Sequence, residues 1–188
     1  MKNKENIAAF DLDGTLLDSA DDLINCLNIV LKEEKKNKVP KKLVHKLVGN
    51  GALAMIKEAY KVNNLVLKKG EPEKLTKRFI DYYKNNCLQK STLYPYALET
   101  LHALKSANFK LVLVSNKPEY FVKKILKHFK INTYFCAISG GDTFNFRKPD
   151  TRHLTETIKI TKIKNYRCWF IGDSKNDALC ARSIGAKL

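Results

Sequence analysis

In the stretch "AAFDLDGTLLDS", residues 8–19, a short apolar run ends in acidic residues. A continuous apolar run of this length is typical of a strand buried in a parallel sheet. Asp11 and Asp13 directly follow the run, and Gly14 and Thr15 come next. The stretch therefore predicts a buried strand that carries two carboxylates to the edge of a sheet.

Two further apolar runs have the same form. The first, "KLVLV" (110–114), precedes Ser115 and Asn116. The second, "CWFIG" (168–172), precedes Asp173. Both are interpreted as buried parallel strands, because each is short, apolar and bounded by polar residues. The chain thus has three predicted strands, and each ends at side chains that can bind or react.

Helical patterns separate these strands. Apolar residues recur at helical spacing over 96–107, 118–129 and 151–160, and a weaker strand pattern lies at 136–139. Strands that alternate with helices are typical of an open parallel sheet. We therefore predict an α/β fold, a Rossmann-like doubly wound parallel sheet with helices on both faces, whose ligand site lies at the carboxyl ends of the strands.

A long stretch after the first strand has no strand pattern. Helical spacing recurs in "DSADDLINCLNIVLKEE", "KKLVHKLV", "ALAMIKEAY" and "PEKLTKRFIDYYKNN", and Ser, Thr and Pro then mark a loop at 88–95. These patterns predict an inserted α-helical domain over 18–87. The α/β core would then consist of 1–17 and 88–188.

The composition limits the classes of partner. The 188 residues carry a net charge of +16, yet only five of the 35 basic residues are Arg, the side chain that best recognises phosphates and guanines. We therefore expect no nucleic-acid partner, and expect the charge to attract a small anionic substrate. The first apolar run is too short for a signal peptide or a membrane span, which favours a cytoplasmic protein without a membrane partner.

The cysteines and histidines are not spaced in the sequence as metal ligands usually are. Five cysteines are scattered without a C-x-x-C pair, so we expect reduced core residues rather than disulfides or a zinc site. The four histidines have no carboxylate or cysteine partners at ligand spacing, and we expect them to be exposed or half-buried: His45, His102, His128 and His153.

Polar residues from several segments should meet at one edge of the sheet. Because the carboxyl ends of parallel strands converge, three carboxylates, Ser115, Asn116 and Lys148 of "FRKPD" would share one crevice. Clustered carboxylates repel one another unless a cation lies among them, and oxygen ligands without His or Cys favour Mg²⁺. Each element alone has a simpler interpretation: D-x-D as a solvated strand end, and Ser115 with Asn116 as a turn.

The order of these elements resembles a known family. "DLDGTLLDS", "VSNK", a Lys-Pro before a helix and "GDSKND" are similar to the four motifs of the haloacid dehalogenase superfamily of phosphotransferases. Nearly the whole chain is covered, and "LVGNGALAM", "VSNKPEYFV" and "GGDTFNFRKPD" most resemble the phosphoglycolate phosphatase branch. The resemblance implies Mg²⁺-dependent hydrolysis of a small anionic phosphomonoester, with 2-phosphoglycolate as the leading candidate. A sugar-phosphate mutase or an inorganic pyrophosphatase is the alternative within the same chemistry.

The resemblance also implies catalytic roles. Asp11 would be the nucleophile and would become an aspartyl phosphate. Asp13 would protonate the leaving oxygen and then take a proton from water, since a two-step hydrolysis needs a second carboxyl group that changes protonation. Lys148 would neutralise the phosphoryl group, and Asp177 would orient Lys148.

Binding residues follow from the same resemblance. Mg²⁺ would be held by Asp11, Asp173 and the main-chain carbonyl of Asp13. The expected substrate-binding residues come from both domains: Thr15, Ser115, Asn116, Asn50 and Gly51. The last two belong to a loop of the inserted domain, which could equally be a plain turn between helices.

The carboxyl-terminal region departs from the family pattern. In similar proteins the chain continues past "GDSKNDALCARSIGA" with a further strand and a closing helix, whereas this sequence ends at Leu188. We therefore expect "CWFIG" to form an exposed apolar sheet edge. A weakly active remnant and a basic binding protein that keeps the fold are the two alternatives to an active phosphatase. The oligomeric state is left open by the sequence.

Overall fold

The computed structural model describes residues 4–182 and 185–187, apart from the side chains of residues 45 and 46. The chain divides into two compact units. One comprises Met1–Leu17 with Leu93–Leu188, and the other comprises Asp18–Thr92. The predicted insertion ended at residue 87, whereas the division falls after Thr92. Residues 88–92 belong to the helical unit because Lys90 and Ser91 are hydrogen-bonded to Asp22.

The described residues form the following elements. The strands are β1 (Glu5–Phe10), β2 (Leu17–Asp18), β3 (Thr92–Leu93), β4 (Lys110–Val114), β5 (Phe135–Ser139) and β6 (Tyr166–Ile171). The α-helices are α1 (Ala20–Glu33), α2 (Val44–Leu47), α3 (Ala52–Val62), α4 (Glu71–Asn86), α5 (Ala97–Ser106), α6 (Glu119–His128), α7 (Arg152–Ile160) and α8 (Lys175–Arg182). The predicted strands and helices of the α/β core are confirmed.

The main sheet has four parallel strands in the order β5-β4-β1-β6. In its register Phe10 lies beside Leu113 on one side and beside Ile171 on the other. The three strands therefore end at nearly the same level. This alignment brings Asp11, which follows Phe10, close to the residues that follow β4 and β6.

Both faces of the sheet are buried. On one face Ile7 and Ala9 of β1 pack in a cluster with Leu154 of α7 and Cys180 of α8. Side chains alternate along a strand, so the other face carries residues such as Phe10, which is also buried. The predicted α/β sheet with flanking helices is thus confirmed.

The outer edge of β6 is partly paired. The Phe170 N–H donates to the Lys187 carbonyl at 2.7 Å, and the Lys187 N–H donates to the Cys168 carbonyl at 3.0 Å. The side chains of Cys168 and Phe170 are buried, while Ile171 is 37% exposed. The expectation of an exposed apolar edge is therefore wrong at Cys168 and Phe170, because their side chains lie in the core cluster and the backbone there pairs with Lys187.

The helical unit has its own core and its own ties. Buried apolar side chains line α1, α3 and α4. Arg78 of α4 pairs with Glu33 and Glu34 at the end of α1. The buried Asp22 carboxylate accepts hydrogen bonds from the Lys90 and Ser91 N–H groups and from the Ser91 hydroxyl, at 2.7–3.1 Å. Asp22 thereby ties the two chain ends of this unit together.

Two further observations concern the chain as a whole. Among the described residues, none of the helices is long and apolar enough to cross a membrane. The cysteines are all free, and four are buried as expected, but Cys136 is exposed. The expectation for Cys136 is wrong because it faces outward on β5, the edge strand of the sheet.

Candidate active site

Asp11 is fixed at the end of β1 by its neighbours. Its N–H donates to the Ile171 carbonyl at 3.0 Å, which extends the pairing of β1 with β6. One carboxylate oxygen accepts the Leu12 N–H at 2.7 Å. The residue is only 4% exposed. A carboxylate is therefore held inside the protein at a point where burial disfavours its charge.

Lys148 supplies the opposite charge. Its Nζ lies 2.8 Å from an Asp11 oxygen and 2.7 Å from an Asp177 oxygen, with all three side chains buried. Burial raises the pKa of Asp11 to about 6, opposed by Lys148 and reinforced by Asp177. Burial alone would lower the pKa of Lys148, but the two carboxylates outweigh it and the pKa lies above its ordinary value. The lysine therefore remains a cation beside the predicted nucleophile.

Asp177 is positioned by the start of α8. Its second carboxylate oxygen accepts the Ser174 N–H at 2.9 Å and the Ser174 hydroxyl at 2.6 Å. A Cβ at Gly172 would lie 2.6 Å from that oxygen, so glycine is needed for this close approach. Asp177 thus has one oxygen committed to its own turn and the other to Lys148.

The Lys148 backbone is held from both sides. Its carbonyl accepts a hydrogen bond from the Asn116 side-chain amide at 3.0 Å, and its N–H donates to His153 Nδ1 at 3.2 Å. The prediction for His153 is wrong, because this ring is fully buried. Burial and the nearby Lys148 lower its pKa to about 4, so the imidazole is neutral and can accept. His102 and His128 are exposed, and the His45 side chain lies outside the described residues.

The loop after β4 contributes a residue that sequence reasoning missed. Lys117 Nζ lies 3.0 and 2.9 Å from the two carboxylate oxygens of Asp13, and the lysine side chain is only 4% exposed. The Lys117 N–H donates to the Ser115 hydroxyl at 3.2 Å. The only available signal was its place in "VSNK". Asp11 and Asp13 therefore each have their own buried lysine.

A glycine turn supports the same loop. The Gly141 N–H donates to the Lys117 carbonyl at 2.8 Å. A Cβ at Gly141 would lie 2.3 Å from the Asn116 carbonyl oxygen, and one at Gly140 would lie 2.3 Å from the Glu119 nitrogen. Larger residues would therefore displace the loop that carries Ser115, Asn116 and Lys117.

Three carboxylates could hold a cation. Asp11, Asp173 and Asp177 each offer an oxygen, and these oxygens lie within 4.8 Å of one another. The Thr15 hydroxyl donates to Asp173 at 3.0 Å, and a Cβ at Gly14 would lie 2.3 Å from an Asp173 oxygen. A group of oxygen donors without nitrogen or sulfur fits Mg²⁺. The Asp13 side chain pairs with Lys117, which leaves its main-chain carbonyl as the predicted ligand.

The predicted residues fall into two groups. Those of the α/β unit lie at the carboxyl ends of β1, β4 and β6 or on the Lys148 loop, and each takes part in a contact described above. Asn50 and Gly51 belong to the helical unit, in the turn between α2 and α3, where Asn50 is exposed and Gly51 has φ of 83°. Their role in substrate binding stays a prediction.

This arrangement suits transfer of a phosphoryl group. A buried carboxylate with a raised pKa beside a fixed cation can attack an electrophilic centre whose negative charge the cation offsets. A second carboxylate two residues along can exchange a proton. Positioning and charge stabilisation supply most of the catalysis of phosphoryl transfer.

Comparison with known proteins agrees with this chemistry. The family model for haloacid dehalogenase-like hydrolases matches residues 8–188. A phosphoglycolate phosphatase from Mesorhizobium japonicum is 37% identical over 95% of this chain and 79% of its own length, and one from Agrobacterium fabrum is 40% identical over 94% and 76%.

The structure is also similar to a solved structure of a related protein. A crystal structure of a predicted phosphoglycolate phosphatase from Haemophilus somnus 129PT superposes with a TM-score of 0.86 at 32% identity. The match covers 99% of this chain and 84% of that one. Sequence motifs, sheet order and relatives therefore agree, and the chain belongs to the haloacid dehalogenase-like hydrolase family.

Proposed function

We propose that the chain is a Mg²⁺-dependent phosphatase that hydrolyses a small phosphomonoester, with 2-phosphoglycolate as the leading substrate, through an aspartyl phosphate on Asp11. The observation that carries the proposal is the buried Asp11 carboxylate, 2.8 Å from Lys148 Nζ. A buried carboxylate that retains a cation partner and lies at a strand end is suited to be a nucleophile.

The reaction has two steps on this chain's own residues. An Asp11 oxygen attacks phosphorus, the bond to the ester oxygen breaks, and Asp13 gives a proton to that oxygen. Asp13 then takes a proton from a water molecule, which attacks phosphorus and releases Asp11 together with inorganic phosphate. Asp13 is thereby restored for the next cycle, as microscopic reversibility requires of a group that serves as acid and then base.

The neighbouring residues stabilise charge during these steps. Lys148 would offset the charge that builds up on the phosphoryl oxygens, and the Ser115 hydroxyl and the backbone beside Asn116 would donate to them. Mg²⁺ would be held by Asp11, Asp173 and the Asp13 carbonyl, and when bound it would neutralise phosphoryl charge. Asp177 would keep Lys148 in place, as its 2.7 Å contact supports.

The substrate class is inferred from relatives and charge. Both relatives described above are phosphoglycolate phosphatases. The net charge of +16 would also raise the local concentration of an anion. 2-Phosphoglycolate is small and carries a carboxylate beside its phosphate ester.

Phosphate release tests the proposal. The purified chain would be incubated in Mg²⁺ with 2-phosphoglycolate, a hexose 1-phosphate or inorganic pyrophosphate, beside Asp11→Asn and the exposed control Asp81→Asn. We expect Mg²⁺-dependent release from 2-phosphoglycolate by the unmodified chain and the control only. Preferred cleavage of pyrophosphate, or isomerisation of the sugar phosphate, would support the related activities. Equal release by Asp11→Asn would contradict the proposed nucleophile.

A further inference from the structure

Lys117 is a second buried lysine at the strand ends. Its side chain is 4% exposed, and its Nζ contacts both oxygens of Asp13, whose side chain is 12% exposed. The family motifs assign a role to Lys148 but none to Lys117. A buried ammonium group is costly to desolvate, so its presence beside one carboxylate calls for a cause.

The backbone of Lys117 is fixed on both of its polar groups. Its N–H donates to the Ser115 hydroxyl at 3.2 Å, and its carbonyl accepts the Gly141 N–H at 2.8 Å. Gly141 has no room for a side chain against Asn116. The ammonium group therefore extends from an anchored point and holds an aspartate that is 104 positions away in the chain.

Two contacts restrict a carboxylate more than one does. A single hydrogen bond leaves the Asp13 carboxylate free to rotate, whereas contacts of 3.0 and 2.9 Å to both oxygens fix the direction in which the group faces. Stability alone is a weak explanation for the pair. The attraction between two buried charges usually does no more than offset the free energy that their desolvation costs. Proton transfer, in contrast, depends strongly on the position of the donor.

We propose that Lys117 is a positioning residue that holds the Asp13 carboxyl group in the place from which it exchanges a proton with the leaving-group oxygen. The inference rests on the proposed function, in which Asp13 donates the proton to that oxygen. It assigns separate tasks to the two lysines: Lys148 serves the nucleophile Asp11, and Lys117 serves the acid Asp13.

The dependence of rate on the leaving group tests this role. The ratio kcat/KM reports the steps up to formation of the phosphoenzyme, which need an acid for the alkoxide of 2-phosphoglycolate but hardly for 4-nitrophenolate. For Lys117→Met we expect kcat/KM to fall about 100-fold on 2-phosphoglycolate and less than about 10-fold on 4-nitrophenyl phosphate. Lys127→Met, at an exposed position on α6, is the matched control and should change neither value.

Two kinetic results would overturn the inference. Equal losses on both substrates would assign Lys117 a structural role, and unchanged rates on both would show that Asp13 needs no such partner. If the unmodified chain releases no phosphate from either substrate, the proposed function fails, and the pairing itself is then tested by stability.

A double-mutant cycle gives that second measurement. The thermal unfolding midpoints of Lys117→Met, Asp13→Asn and the double variant would be compared with that of the unmodified chain. If Lys117 holds Asp13, the midpoint of the double variant should fall by less than the sum of the two single losses. Additive losses would overturn the inference whether or not the chain is active.

Discussion

Each of the two units buries an aspartate, Asp11 directly after β1 and Asp22 near the start of α1, and the two aspartates have different partners. Asp11 of the α/β unit is 4% exposed and is held by the Lys148 ammonium group and the Leu12 N–H. Asp22 of the helical unit is 2% exposed and accepts hydrogen bonds from neutral donors, the Lys90 and Ser91 N–H groups and the Ser91 hydroxyl.

The difference distinguishes the proposed nucleophile from a carboxylate with structural hydrogen bonds. The donors of Asp22 engage both of its oxygens and come from a chain segment that must be tied down. Burial raises the pKa of Asp11 to about 6, and the nearby Asp177 adds repulsion. The charged form of Asp11 is therefore disfavoured in free energy. A group held at such a cost is a candidate for function, whereas a fully hydrogen-bonded group contributes to stability.

Replacing Asp11 should have the largest effect on activity. Asp11→Asn removes the proposed nucleophile and leaves a side chain of the same shape, so we expect phosphate release to fall at least about 1000-fold. The midpoint of thermal unfolding should stay close to that of the unmodified chain, because the buried charge is also removed. A variant that keeps more than a tenth of the activity would contradict the role of Asp11 as the nucleophile.

Replacing Asp22 should give the opposite pattern. Asp22→Asn turns an amide toward backbone N–H donors, and loss of charge-assisted hydrogen bonds should lower the free energy of unfolding by about 2–4 kcal/mol. Denaturant unfolding measures this loss. Asp21→Asn is the matched control, since its partly exposed pair with Lys41 should be worth less than about 1 kcal/mol. Equal stability of the two variants would contradict the structural role of Asp22.

Replacing His153 should have a smaller effect, which is on the pH dependence of stability. Its folded pKa of about 4 lies below the ordinary 6.5, so the unfolded chain binds more protons between these values. Stability from this group is therefore present above pH 6.5 and lost as pH falls toward 4, by about 3 kcal/mol in total. His153→Asn keeps an acceptor near the Lys148 N–H without the titration. Its stability should fall less between pH 7 and pH 4.5 than that of the unmodified chain, and an identical slope would contradict the assignment.

Replacing Asn50 should cause the smallest change in the rate on an activated substrate. If its loop selects the organic part of the substrate, Asn50→Ala should change the ranking of phosphomonoesters while kcat on 4-nitrophenyl phosphate changes less than about threefold. Steady-state kinetics on a panel of substrates measures both. Parallel losses on every substrate would instead indicate that the loop is only a structural turn.

The elements of the α/β unit could be predicted because their signals are local. Continuous apolar runs mark β1, β4 and β6, and parallel strands must end at a common edge, which brings Asp11, Ser115 and Asp173 into one region. The identity of the lysine in the site came from its Lys-Pro context rather than from charge. One positive residue in a chain with 35 Lys and Arg carries little information by itself.

The features that the sequence did not predict depend on contacts between residues that are brought together only by the tertiary structure. The contact between Lys117 and Asp13 joins two loops far apart in the chain, and no periodicity encodes it. His153 is buried because the Lys148 N–H needs an acceptor and Phe144 packs against the ring, which a pattern of exposed histidines cannot anticipate. The boundary after Thr92 depends likewise on a carboxylate that tertiary structure alone brings to Ser91.

If Asp11 is the nucleophile, it becomes phosphorylated during turnover, and trapping the acyl phosphate would detect this. The chain would be quenched during turnover of 2-phosphoglycolate in Mg²⁺, reduced with borohydride, which converts an acyl phosphate to an alcohol, and analysed by peptide mass spectrometry. We predict homoserine at position 11, dependent on substrate, with Asp13 unchanged. Turnover that leaves Asp11 unmodified, or that modifies another residue, would contradict the role of Asp11 as the nucleophile.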